Sequence, residues 1–325
     1  MFSSIGLYGN IVVILISIAM LYFGADGLVR GGGHIAQRLG IRPFVIGLTI
    51  VAFGTSLPEF IVSLIANVWK DSASIAIGNI IGSNITNIGL VLGLSAIIFP
   101  VVVHFHSVLK QLLFLLIVGI LFYALALDGN ISRIEGFVMI SLLIIYVYYL
   151  FRNPNEVELD NIDEDLSSPF KDAITVILGS IALSIGAWLF VESGVWIAEE
   201  FHISKLVIGL TIIALGTSLP ELATSLMAAY KKEGEMSIGN IIGSNIFNIL
   251  FIMGGVAFVK PLSVFETKII NGVELSIFPH IQYIVMLGFG LILIPFSIKN
   301  RIGRFYGTIL VLGYVLFNIK IIFFS

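Results

Sequence analysis

The sequence predicts an all-α polytopic membrane protein with ten transmembrane helices arranged as two inverted five-helix repeats. Composition is the first reason: 58% of the 325 residues are hydrophobic and only 11% are charged, which is too apolar for a soluble globular chain. The second reason is that the apolar residues form runs long enough to cross a bilayer. The third is that one long stretch of sequence occurs twice.

The predicted helices follow from the length of the apolar runs. A helix needs about 20 apolar residues to cross a hydrocarbon core that is ~30 Å thick. Polar breaks separate runs of about this length along the whole chain. The ten predicted helices are 8–29, 43–69, 73–99, 107–127, 131–151, 170–198, 203–230, 236–258, 279–298 and 303–323. The first has no basic region before it and no cleavage site after it, so we expect it to be retained in the membrane.

The most polar segment, residues 152–169, divides the chain into an N-terminal repeat (1–151) and a C-terminal repeat (170–325). This linker contains six carboxylates but lacks the glycine and the ligand spacing of an EF-hand loop. We therefore interpret it as a solvated acidic tether rather than a regulatory Ca²⁺ site.

Orientation is predicted from the positive charges between the helices. Alternate loops, counted from the first, contain eleven of the 17 Lys and Arg residues. Because cytoplasmic loops carry the excess of positive charge, we expect the linker in the cytoplasm and both termini outside. The net charge near −3 gives no indication of nucleic-acid binding.

The repeated stretch comprises residues 47–93 and 209–254, and the second copy is one residue shorter at a polar turn. Five crossings per half imply that the two copies enter the membrane from opposite sides. Inverted repeats with interrupted helices at matching positions are typical of secondary transporters that bind their substrate near the midplane. A cation channel made of two fused halves is the alternative from a different class.

Each copy contains the hexapeptide Gly-Thr-Ser-Leu-Pro-Glu in the middle of an apolar run, ending at Glu59 or Glu221. Proline lacks an N–H and disrupts the preceding helical turn, which frees carbonyl oxygens. A transmembrane proline often causes only a kink. A glutamate at the same depth, found twice, instead favours an ion site, because carboxylates inside membranes are rare and functional. The predicted oxygen donors near the glutamates are Ala52, Thr55 and Ser56 in one copy and Ala214, Thr217 and Ser218 in the other.

A second motif, Gly-Asn-Ile-Ile-Gly-Ser-Asn, follows each hexapeptide. Its glycines form a face on which another helix can pack closely. Ser83 and Asn87 lie one turn apart on one helix face, as do Ser244 and Asn248 on the other, and we predict that they belong to the site. For Asn79 and Asn240, hydrogen bonding between helices is as good an explanation as ion binding.

The residue types predict a hard cation as the substrate. The chain has no cysteine, and its five histidines fall in or near predicted loops, which argues against a soft metal. Oxygen donors with two carboxylates suit Ca²⁺, and Na⁺ ions or protons would compete for the same glutamates. We predict no enzymatic activity, because no Ser or Cys nucleophile in the membrane has a histidine base nearby.

These two motifs, each present twice in a ten-helix chain, resemble the repeats of the cation/Ca²⁺ exchanger superfamily, in particular the prokaryotic sodium/calcium exchangers. The resemblance implies a multi-pass antiporter of the prokaryotic cell membrane that exchanges Ca²⁺ for Na⁺ by alternating access. It implies no cofactor and no obligatory protein partner.

The resemblance also implies a ligand set. Ca²⁺ would be held by Glu59, Glu221, Thr55 and Thr217. The Na⁺ sites beside it would use Ala52, Ser56 and Ser83 on one side and Ala214, Ser218, Ser244 and Asn245 on the other, with Asn87 and Asn248 in the middle.

One departure affects the coupling. Several such exchangers have Asp at one of the two middle positions, where this chain has Asn87 and Asn248. Two acidic groups rather than three leave the number of exchanged Na⁺ ions open. They also leave open a Ca²⁺/H⁺ antiporter, because two facing carboxylates without a cation should share a proton.

Overall fold

The computed structural model describes residues 2, 5–69, 72–153, 168–202, 214–270 and 273–324. Its helices, in chain order, are α1 (Gly6–Leu39), α2 (Pro43–Thr55), α3 (Leu57–Val68), α4 (Ala73–Ile98), α5 (Phe105–Ala126), α6 (Arg133–Arg152), α7 (Pro169–Glu200), α8 (Ala214–Gly216), α9 (Leu219–Tyr230), α10 (Gly234–Val259), α11 (His280–Ser297) and α12 (Arg304–Phe324).

Eight of the described helices are long and apolar enough to cross a membrane, and α2 with α3, bent by 44°, forms a ninth candidate span. Each coincides with a predicted segment. The tenth, 203–230, is described only in α8 and α9, because residues 203–213 lie outside the described residues, as do 154–167 of the predicted linker. Large apolar side chains such as Leu15, Ile117 and Ile144 are exposed on the outer surface, as expected for contact with lipid.

Helices α1 and α7 pack against each other in antiparallel orientation. A Cβ atom added to Gly24 would lie 2.9 Å from the carbonyl oxygen of Gly179 on α7. One added to Gly31 would lie 3.0 Å from the carbonyl oxygen of Asp172. The two backbones are therefore in direct contact, as the small residues permit.

The predicted end of the first helix at residue 29 is wrong, because α1 continues to Leu39. Its polar last turns, predicted as a loop, bind the start of α7. Asp172 is buried and lies 2.8 Å from His34 Nδ1, and it accepts a hydrogen bond of 3.0 Å from Arg38 Nε. Low hydropathy ends the predicted membrane span before His34 and Arg38. Their contacts with Asp172 stabilise the helical conformation of these last turns.

The two hexapeptides break their helices in the same way. Ser56 leaves helical geometry between α2 and α3 with φ −86° and ψ 2°, and Ser218 does so before α9 with φ −92° and ψ 8°. Pro58 and Pro220 are each the second residue of the helix that follows. An N–H at that position has no intrahelical partner, so each proline starts a helix rather than kinking one.

Helices α4 and α10 cross the bundle without a break, but both contain a π-helical segment, Asn87–Leu92 in α4 and Asn248–Met253 in α10. In each case the segment begins at an asparagine predicted for the site. Such wide turns often occur at functional sites. The periodicity of the sequence does not predict them.

The glycine face of α10 packs closely on α2. On α10, a Cβ added to Gly239 would lie 3.1 Å from the backbone nitrogen of Leu48, and one added to Gly243 would lie 2.8 Å from Ala52 Cβ. The backbone of α2 therefore lies directly on α10. At Gly78 and Gly82, the equivalent residues of α4, an added Cβ would meet no atom within 4 Å among the described groups, and residues 203–213, the counterparts of 41–51, lie outside that part of the chain.

Short antiparallel strands, which the all-α prediction omits, join the loops at the ends of the helices. β1 (Val101–Val102) pairs with β6 (Arg301–Ile302), β2 (Asn130–Ile131) pairs with β3 (Leu262–Ser263), and β4 (Glu266–Ile270) pairs with β5 (Val273–Ile277). They are two to five residues long, too short for an alternating pattern to be recognised.

A polar cluster fixes the start of α2 at the end of the bundle where α6 ends and α7 begins, here called the linker end. Arg42 donates a hydrogen bond of 3.1 Å to Glu235 Oε2 on α10 and one of 2.8 Å to Ser107 Oγ on α5. His104, whose side chain is 62% exposed, also lies beside Glu235. Nearby, burial and then the charge of Glu235 raise the pKa of Glu233, and Lys231 opposes this shift.

The close packing of α2 on α10 can be tested by one substitution and a matched control. Gly243→Ala should lower the free energy of unfolding by about 1–3 kcal/mol, because the added methyl group forces α2 away from α10. The matched control Gly288→Ala, on the exposed face of α11, adds a methyl group that meets no described atom within 4 Å and should leave stability nearly unchanged. Thermal unfolding of both variants in detergent measures the difference, and equal losses would contradict the close contact.

Candidate ion-binding site

Glu59 and Glu221 are both buried inside the bundle, with 1% and 0% of their surface exposed. Each is the third residue of the helix that follows the break, Glu59 in α3 and Glu221 in α9. The N-terminal end of a helix carries a partial positive charge that stabilises a nearby carboxylate. The breaks therefore place both acidic groups at the favourable end of a helix.

Hydrogen bonds across the bundle join the two copies of the motif. The hydroxyl group of Ser56 donates to Glu221 Oε1 at 3.3 Å. Thr55 Oγ1 donates to Asn240 Oδ1 at 3.2 Å and lies 3.3 Å from Ser244 Oγ. Residues far apart in the chain thus form one continuous polar cluster around the glutamates.

Five buried oxygens of the predicted ligand set have no hydrogen-bond partner among the described protein groups. They are Glu59 Oε2, Glu221 Oε2, Asn87 Oδ1, Asn248 Oδ1 and Ser218 Oγ. A buried polar atom without a partner is costly, and native structures contain few of them. Four of the five can only accept hydrogen bonds or bind a cation when the glutamates are ionised. This donor set fits a hard cation.

Two pairs of asparagines connect α4 and α10 beside these oxygens. Asn87 Nδ2 donates to Asn245 Oδ1 at 3.2 Å, and Asn248 Nδ2 donates to Asn84 Oδ1 at 3.3 Å. All four side chains are buried. Asn84 is absent from the site predicted from the sequence, although it is the counterpart of the predicted residue Asn245 in the second copy.

The remaining predicted site residues are placed as follows. The carbonyl oxygen of Ala52 accepts a hydrogen bond of 3.0 Å from the N–H of Ser56. This bond uses one of its two lone pairs, so only the other could contact an ion. Asn245 uses its side-chain oxygen for Asn87. Ala214 begins α8, and Thr217 follows that helix. Thr217 and Ser83 do not join the cluster around Thr55 but line a cavity.

No ion pair joins a basic side chain to Glu59 or Glu221 within the described ranges. Nor do three His, Cys, Asp or Glu side chains gather anywhere in this part of the chain. The charge available to a cation at this site is therefore that of two carboxylates. Neutral hydroxyl and amide oxygens provide the other contacts.

A cavity of about 290 Å³ lies against α4. Its described walls include the two small residues Gly78 and Gly82 of α4 and the polar residues Asn79, Ser83 and Thr217. In the other half, the equivalent residues Asn240, Ser244 and Thr55 are joined by hydrogen bonds and buried. Within the described residues, the polar cluster is therefore closed on the side of α2 and α10.

The model of the family described as sodium/calcium exchanger protein matches residues 9–152 and 171–323. The chain belongs to this family. The resemblance seen in the sequence is therefore confirmed, and membership identifies the chain as a membrane transporter.

Relatives of this family member cover almost all of its length. The sodium/calcium exchanger MaX1 of Methanosarcina acetivorans is 34% identical over 97% of this chain and 99% of its own. The putative antiporter CaxA of Alkalimonas amylolytica is 36% identical over 94% and 96% of the respective chains. A solved structure of the sodium-calcium exchanger NCX_Mj, 36% identical in sequence, matches with a TM-score of 0.81 and covers 96% of this chain and 98% of that one.

The two glutamates can be tested by removing one charge at a time. Glu59→Gln or Glu221→Gln should weaken Ca²⁺ binding by more than about 100-fold, because breaking a buried charge pairing costs roughly 3 kcal/mol or more. Equilibrium binding of radioactive Ca²⁺ to the purified protein measures the loss. Glu199→Gln, at the exposed end of α7, is the matched control and should bind normally. Normal binding by either site variant would exclude that glutamate as a ligand.

Proposed function

We propose that this family member is a secondary active antiporter that exchanges Ca²⁺ for Na⁺. The observation that carries the proposal is the group of buried carboxylate and amide oxygens that come from both copies of the motif and have no hydrogen-bond partner among the described residues. Relatives described as sodium/calcium exchangers, which align over nearly the whole chain, support the choice of ions.

The chemistry of the group explains why the two ions would exclude each other. Two carboxylates neutralise one Ca²⁺, and the surrounding hydroxyl and amide oxygens approach the six to eight ligands that this ion accepts. Na⁺ is also a hard cation and uses the same oxygens. Binding of one ion at Glu59 and Glu221 therefore requires release of the other, and exchange follows without further coupling machinery.

We also propose the complete layout as ten crossings in two inverted repeats, residues 1–151 and 170–325, joined by the tether 152–169. The paired helix breaks and the paired π-helical segments support this layout. The excess of Lys and Arg in the loops of the linker end supports a cytoplasmic location for that end and an external one for both termini. We propose the prokaryotic cell membrane as the location.

Alternating access is proposed from the repetition of the motif. Close packing of α2 on α10 covers the glycine face of α10 on the side of the linker end, and the described cavity lies against the equivalent face of α4. With the linker end in the cytoplasm, we propose that the site opens to the outside past α4. The opposite conformation would pack the glycine face of α4 and expose that of α10.

Access can be tested with two residues at equivalent positions of the repeat. Val62 lines the cavity, whereas its counterpart Thr224 is fully buried. Because the chain has no cysteine, Val62→Cys and Thr224→Cys each introduce the only thiol. In the conformation described, an impermeant maleimide should label Val62→Cys from outside and leave Thr224→Cys unlabelled. Labelling of both from the same side would contradict alternating access.

Coupling is tested by Ca²⁺ uptake into proteoliposomes. We expect vesicles loaded with Na⁺ to accumulate Ca²⁺ and to stop when an ionophore collapses the Na⁺ gradient. Vesicles containing Glu59→Gln are the matched control and should remain inactive. Uptake driven by a pH gradient alone would instead indicate a Ca²⁺/H⁺ antiporter, and ohmic single-channel currents without a counter-ion would indicate a channel.

A further inference from the structure

Four buried asparagines form a reciprocal arrangement between α4 and α10. Asn84 and Asn87 lie three residues apart on α4, and Asn245 and Asn248 lie three residues apart on α10. Asn84 accepts a hydrogen bond of 3.3 Å from Asn248, and Asn245 accepts one of 3.2 Å from Asn87. The side-chain oxygens of the two donors, Asn87 Oδ1 and Asn248 Oδ1, have no hydrogen-bond partner among the described groups.

The orientation of an asparagine amide matters next to a cation. Its carbonyl oxygen attracts a positive ion, whereas its NH₂ group, nearly identical in shape, repels one. Only the surrounding hydrogen bonds decide which end occupies which position. An acceptor bonded to the NH₂ group of Asn87 or Asn248 therefore fixes that group against the other helix and leaves the amide oxygen free to bind a cation.

The acceptors are themselves held in place. The NH₂ group of Asn84 lies 3.4 Å from the thioether sulfur of Met286 on α11, so its oxygen is the end that faces Asn248. Both Asn84 and Asn245 border a small cavity of about 10 Å³. Its described lining also includes Met286 but neither Asn87 nor Asn248, so the two acceptor asparagines face a space that the two donor asparagines do not line.

We propose that Asn84 and Asn245 are positioning residues that set the Ca²⁺ affinity by fixing the amide orientation of Asn248 and Asn87. This assignment rests on the proposed function, in which Asn87 and Asn248 bind the ion. It removes Asn245 from the ligands implied by the family resemblance and gives it the same role as its counterpart Asn84. The effect of each positioning residue should depend on one specific partner, which lies on the other helix.

Double-mutant cycles test this dependence through the equilibrium binding of radioactive Ca²⁺ to the purified protein. Asn245→Leu keeps the shape of the side chain and removes the acceptor, and it should weaken binding by about 10- to 100-fold, as for other residues that orient metal ligands. In an Asn87→Ala background the same change should have almost no further effect. Asn84→Leu should behave in the same way towards Asn248→Ala.

The matched controls are the pairs on one helix. Asn84→Leu with Asn87→Ala, and Asn245→Leu with Asn248→Ala, should give effects that multiply, because neither pair shares a hydrogen bond. Asn245→Asp keeps an oxygen acceptor and should bind Ca²⁺ at least as tightly as the wild type. If a leucine variant does not fold, alanine at the same position gives the same cycle.

The outcomes separate this inference from the proposed function. Non-additive effects on Ca²⁺ binding that occur only in the pairs Asn245 with Asn87 and Asn84 with Asn248 would support the positioning role. Effects that multiply for every pair, or an Asp variant as weak as the Leu variant, would overturn it while leaving the exchanger proposal intact. A wild-type protein that binds no Ca²⁺ would overturn the proposed function and this inference with it, and in that case the variants would show no differences.

Discussion

The constraint on which the rest of the structure depends is a pair of buried carboxylates that have no basic partner within the described residues. A single charged side chain at the bilayer centre costs at least ~2.5 kcal/mol on insertion scales, and two of like sign also repel each other. Within the described chain, no lysine or arginine is paired with Glu59 or Glu221. The unpartnered atoms of the neighbouring hydroxyl and amide groups are oxygens, which carry no positive charge. A cation that neutralises the two carboxylates must therefore come from solution.

The local structure reduces this cost in two ways. Each glutamate lies in the first turn of a helix that begins inside the bundle, so that free backbone N–H groups and the helix dipole lie close to the charge. Each proline allows the break without the loss of a hydrogen bond. Close packing of α2 on α10 then excludes lipid and water from one side of the cluster. The requirements of an ion site thus explain features that would weaken an ordinary membrane helix.

The sequence predicts the parts of the fold that depend on composition and repetition. Apolar runs locate the helices, and the repeated hexapeptide locates the breaks and the two buried glutamates. The extension of α1 to Leu39 could not be predicted, because it depends on the contact of His34 and Arg38 with Asp172 on a distant helix. The roles of Asn84 and Asn245 were likewise hidden. A residue type does not reveal which end of an amide faces an ion, because this depends on hydrogen bonds between helices.

The repetition of the motif has a thermodynamic consequence. In the described residues α2 packs on α10 at Gly243, and the first copy of the motif offers the same residue type, Gly82, for the corresponding contact in the other half. Under the proposed alternating access, one arrangement and its mirror image would use nearly the same set of contacts, so their free energies would lie close together. An exchanger of this kind would favour neither direction by itself. The ion gradients on the two sides of the membrane would then decide the direction in which its cargo moves.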